Sequence, residues 1–277
     1  MTESLENSFS QNTEEFKYPI DFTKQQEIAE IELGLSNKEI RKIFEVCEEC
    51  YGDTVKYIKE CAKKEGFKKV IFSSFGKNFH VFPVEKSNSY FMPVKFIPRL
   101  NNLMKIMPEI GEVGIRDNVA HERQHCLSSA LEGHKKRFAI GEYEKKINTP
   151  VKFIESQTNL QRIIKETRNN NLNVEKVVLS ISKYYLYITI LSEGAEVLES
   201  DYIEKEAVEW FESSYSFIRD DYKDLFVKEF NTYKDEIIKK YNKYIEENQI
   251  DDFYNDEDRE CEELRIKVIN RLNEMAQ

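Results

Sequence analysis

Apolar residues recur at steps of three and four along most of the chain. The pattern predicts helices at about 22–33, 37–50, 53–65, 99–107, 151–168, 174–200, 203–218, 220–248 and 259–275. Ser36 and Glu39 stand at capping-box spacing at the head of the second of these. Three runs between the helices, 68–74, 78–84 and 89–97, are rich in aromatic and β-branched residues and read as strands. The stretches 75–77 and 85–88 are short enough to be hairpin turns, so the expected sheet is a small antiparallel meander. Pro83 and Pro93 lack ladder donors and point to an edge or a bulge. Pro108, Gly111 and Gly114 mark a loop into a further helix, capped by Asp117, that runs to about Leu131 and stops near Gly133. Residues 134–150 read as a charged loop, and Asn169, Asn170 and Asn171 as a break. The expected fold is α+β and mostly α: a small antiparallel sheet before one central helix, then a helical C-terminal lobe.

That central helix carries the chemistry. His121, Glu122, Arg123, Gln124 and His125 spell H-E-x-x-H. At about 100° per residue, the two imidazoles lie on one face, one turn apart, and both can reach one metal ion. Glu122 points elsewhere and suits a general base acting on a metal-bound water. Two neutral imidazoles and a carboxylate in this order are what zinc-assisted hydrolysis needs. Val119, Ala120, Arg123, Cys126, Leu127 and Ala130 fall on the other side of the helix, and Ser128 and Ser129 flank the histidines.

Charge narrows the function classes. The 277 residues carry a formal net charge of -10, which disfavours a general nucleic-acid binder because phosphate contacts need clustered Lys and Arg. The first twelve residues are polar, with no apolar core of a signal peptide. The most apolar stretch, Val177 to Leu191, is interrupted by Lys183 and is too short for a membrane span. Five cysteines without framework spacing suggest reduced thiols, and so a cytoplasmic protein. Cys47 and Cys50 read as half-buried helix thiols rather than a metal site. His80, among strand aromatics, reads as structural. The aromatic stripe through Phe211, Tyr215, Tyr222, Phe226, Tyr233 and Tyr241 reads as a packing face, and the acidic run 251–260 as a solvated turn.

A hydrolytic zinc usually takes three protein ligands and one open position. His134 stands nine residues past His125, on the opposite face of a continuous helix. Ser128 and Leu131 occupy the glycine and third-histidine positions of the metzincin pattern, so that pattern is absent. The better candidates are Glu193 and Glu196, three apart at the end of the most apolar helix, with Gly194 and Ala195 small enough for close approach. Glu193 is preferred.

His121-Glu122-x-x-His125 with the downstream Glu193-Gly194-Ala195-Glu196 resembles the gluzincin zinc metallopeptidases. The resemblance implies Glu193 as third ligand beside His121 and His125, with Glu196 lining the site. It also implies a sheet before the motif helix whose edge strand binds substrate backbone, a place the runs at 68–97 occupy. Composition and periodicity suggest a flexible segment at 1–20, N-terminal helices at 21–66 and a helical lobe at 201–277, and the resemblance implies a zincin-like catalytic core at 67–200 between them. The expected activity is hydrolysis of peptide bonds in a peptide or protein substrate, by a zinc-bound water that Glu122 activates. Tyr143, Tyr202, Tyr215 and His134 are candidates to bind the oxyanion. The alternative is a helical interaction or regulatory protein on a zincin-like scaffold without peptidase activity.

Overall fold

The computed structural model describes residues 37–73, 80–82, 89–132, 158–165, 173–248 and 253–276. The helices expected at 37–50 and 53–65 form one long element, α1 (Asn37–Lys64), bent at Tyr51, whose φ of -139° and ψ of 45° interrupt the helical backbone. The sheet follows as β1 (Lys69–Ser73), β2 (His80–Phe82) and β3 (Ser89–Pro93). The strand order is β1-β3-β2. β1 runs parallel to β3, with Ile71 opposite Phe91, and β2 runs antiparallel to it, with Val81 opposite Tyr90. This mixed sheet corrects the expected antiparallel meander. All five residues of β3 are buried, so this near-continuous apolar run behaves as a central strand covered on both faces and paired on both edges. Pro93 ends the strand, where a missing donor costs least.

Two helices follow almost without a gap, α2 (Phe96–Ile106) and α3 (Pro108–Glu132). Met107 leaves helical geometry between them, and Pro108 opens α3, where its lack of an N–H is harmless. Gly111 and Gly114 are therefore helical, which corrects the expected loop. They serve close packing. A Cβ on Gly111 would lie 2.7 Å from Met104 Cγ, and one on Gly114 would lie 2.1 Å from Cγ of the Tyr187 ring.

Residues 158–165 are helical (α4). α5 (Val174–Glu193) starts at Asn173, whose side chain accepts from the Lys176 amide at 3.0 Å. It stops at Gly194, whose φ of +96° only glycine adopts readily, and a 3-10 turn, Ala195–Glu199, takes over. The expected helix to 200 is thus broken, and Glu193 and Glu196 share no helical face. α6 (Ile203–Ser214), α7 (Lys223–Asn248) and α8 (Phe253–Ala276) complete the described chain. α8 includes most of the acidic run expected to be a turn.

One buried cluster takes residues from α1, the sheet, α2, α3, α5, α6, α7 and α8, and does not break at 66/67 or 200/201. The aromatic stripe is part of it: Phe211 stacks on Phe226 at 4.3 Å and Tyr185 meets Phe230 at 5.7 Å. Trp210, the only tryptophan in the chain, lies 6.3 Å from Tyr184, 4.8 Å from Tyr185 and 5.3 Å from Tyr215. α8 returns to the first elements, with Cys261 Sγ donating to Lys95 O at 3.0 Å and Arg271 reaching Glu49 at 3.3 Å. Cys47 is buried and Cys50 exposed, both as free thiols. No helix among the described residues is long and apolar enough to cross a membrane.

Candidate metal centre

The H-E-x-x-H segment lies within α3, which β2 and α5 flank. His121 and Glu122 are each only 7% exposed, so both functional groups face the interior. A buried imidazole needs a partner. His121 Nδ1 lies 2.9 Å from Asn159 Oδ1 on α4. The Asn159 amide is itself oriented, because its Nδ2 donates to Ser214 O at 3.2 Å. With the oxygen thus turned to His121, Nδ1 is the donor of this bond. His125 follows one turn along the same helix, and its side chain lies outside the described residues.

A polar layer surrounds the pair. Tyr90 on β3 donates to Asn118 Oδ1 at 2.6 Å, and Asn118 Nδ2 donates to Tyr184 OH at 3.2 Å. The Tyr184 ring is 6.4 Å from His121. Burial pushes both phenols up, and neighbouring tyrosines and the Glu122 carboxylate add to the rise. Asp117, expected as an N-cap, is a buried mid-helix anion instead, since α3 starts earlier at Pro108. It accepts from Ser180 Oγ at 2.5 Å and pairs with Arg162 at 3.4 Å. Arg162 also donates to Tyr215 OH at 3.2 Å and lies 5.7 Å over the Tyr184 ring.

The expected third ligand is not brought to His121. Gly114 touches Tyr187 and Asp117 touches Ser180, so α5 runs antiparallel to α3. At about 1.5 Å per residue, His121 lies roughly 10 Å beyond Gly114 in one direction, and Glu193 roughly 9 Å beyond Tyr187 in the other. The two residues are therefore about 20 Å apart along the packed helices, beyond the combined reach of an imidazole and a carboxylate. Glu193 is exposed, and so is Glu196, whose charge acts on Glu257 of α8 instead. Tyr202 is 51% exposed, and Tyr215 is buried against Arg162. His134, Tyr143 and the side chain of His80 lie outside the described residues. Among the described residues, no three His, Cys, Asp or Glu side chains are grouped so that they could hold a metal ion.

Asn159 and Arg162 are the residues that sequence reasoning missed. Both are 2% exposed and three apart on one face of α4. That spacing was the one local sign that the two act together. Comparison with protein-family models, curated proteins and solved structures returns no match.

Proposed function

We propose that the chain is a zinc-dependent metallopeptidase, with His121 and His125 as ligands and Glu122 as general base. The observation that carries this reading is the buried His121–Asn159 pair. It holds Nδ1 of the first motif histidine in a hydrogen bond to an oriented amide oxygen, as the non-coordinating nitrogen of a ligand imidazole is held. This donor chemistry fits zinc. When bound, zinc would supply Lewis acidity to water and to the scissile carbonyl. Asn159 holds the His121 ring in one tautomer and one orientation. Glu122 takes the proton of the attacking water and delivers it to the leaving amine. Tyr90 and Tyr184 remain protonated at neutral pH and add no competing negative charge beside Glu122. β2 is paired on one side only among the described residues and lies against α3, so an extended peptide can add to its outer edge.

The test is zinc content and peptide cleavage together. Wild type and Glu122→Gln should each hold about one zinc, and His121→Ala should lose it. Glu122→Gln should lower cleavage of a peptide library by roughly 10²–10⁴-fold with zinc retained. A zinc-free wild type under non-chelating conditions would overturn the reading. The position of Glu193 favours a second one, a helical interaction protein on a zincin-like scaffold. That reading expects Glu122→Gln to leave biological activity intact.

A further inference from the structure

A cavity among the described residues does not include His121 or Glu122 in its walls. It opens beside the His121 face of α3, along Val113, Arg116, Asp117, Ala120 and Gln124, and holds about 820 Å³. Its walls come from four helices, α1, α3, α4 and α5. In a chain of net charge -10, this one concavity is basic: Lys64, Arg116, Arg162, Lys165, Lys176 and Lys183 line it. Three carboxylates also face it, and two of them are already matched. Glu65 pairs with Lys165 at 3.0 Å, and Asp117 with Arg162 at 3.4 Å and Arg116 at 3.3 Å. Glu60 is the third. Lys64 and Lys176 have no ion pair among the described residues, and Lys183 comes no closer than 4.0 Å to Glu109 while resting over the Tyr233 ring.

Cations from separate helices that converge on one half-open cleft repel one another, less where water screens them, and an anion between them relieves the repulsion. We infer that this cleft binds a small molecule carrying two or more phosphate groups. Lysine ammonium groups suit phosphate as point charges. The volume falls within the about 300–1,000 Å³ of small-ligand sites. Tyr57, Val113 and Leu179 add an apolar wall for the rest of the ligand. A long polyanion is disfavoured, because the charge is gathered in one hollow of a chain whose net charge is -10.

The experiment is calorimetric titration of the full chain at low salt with tripolyphosphate, ATP and adenosine. Tripolyphosphate should saturate at one per chain. Lys176→Gln combined with Lys183→Gln should weaken it by about tenfold or more, and Lys267→Gln on α8 should leave it unchanged. Adenosine alone should not bind. ATP binding tighter than tripolyphosphate would assign the apolar wall to a nucleobase, and equal affinity would assign the ligand to the phosphate chain alone. Lys64→Gln, exposed at the end of α1, provides a second variant if the double variant melts early. Absence of saturable binding up to about 1 mM, equal weakening by Lys267→Gln, or tighter binding of a polyglutamate peptide would overturn the inference.

Discussion

Asn159 shows what a single side chain contributes. Its amide is anchored by Ser214 O on one side and aims its oxygen at His121 on the other. Replacement by alanine leaves the His121 ring without its orienting acceptor. In the proposed centre, Asn159→Ala should therefore weaken zinc about 10–100-fold in a chelator competition, while Asn159→Asp, which keeps an acceptor, should restore much of it. A change in melting temperature without a change in zinc affinity would show that Asn159 is only structural. The H-E-x-x-H spacing could be read from the sequence because a four-residue step is local. Asn159 could not, because its meaning depends on a partner 38 residues away. Asp117 was misread for the same reason: an aspartate before an apolar run looks like a cap until Arg162 is seen beside it.

Elements were readable where periodicity alone decides them. Most helices appear close to their expected bounds, and the α1 bend falls at the expected junction of two helices. Glycine was ambiguous, since it marks both turns and close helix contacts. Gly114 is the second kind. Gly114→Ala would drive a methyl into the Tyr187 ring and separate α3 from α5. We expect a loss of about 1–3 kcal/mol, read as a lower thermal midpoint, with Gly52→Ala as a control because nothing lies within 4 Å of its Cβ position. An unchanged midpoint would show that the two helices can move apart without cost. Strand order was less accessible, because turn lengths suggested hairpins. The buried run of β3 was the better guide to its central place.

At the scale of the molecule, α8 closes the core by packing on α1 and α2, and it brings a carboxylate with it. Glu257 is buried beside Arg99, 3.9 Å from Nε, and neither Glu257 Oε1 nor Arg99 Nε has a hydrogen-bond partner. Burial raises the Glu257 pKa to about 7. Arg99 opposes the rise and Glu196 adds to it. Between its ordinary value of 4.5 and about 7, the folded chain keeps a proton that the unfolded chain has lost. Stability from this group is therefore full below that interval, falls as pH rises through it, and stays reduced above it, by about 3 kcal/mol at most. Glu257→Gln should flatten this slope in denaturant titrations from pH 4.5 to 8; an unaltered slope would place the proton elsewhere. One buried core joins residues of the expected catalytic core and of the expected C-terminal lobe. Glu193 was misplaced because distance along a sequence says nothing of direction, and an antiparallel α5 carries its last residue away from the motif.

The indole of Trp210 gives the molecule an internal light source. It is the single tryptophan of the chain, and Tyr184 neighbours both it and His121, 6.3 Å from the one ring and 6.4 Å from the other. Tyrosine emission overlaps tryptophan absorption, so excitation of Tyr184, Tyr185 and Tyr215 drains into this one fluorophore. A rearrangement that shifts Tyr184 or Tyr215 against the indole should alter the colour or brightness of one known residue, so events that move these rings can be followed in unlabelled protein, in real time.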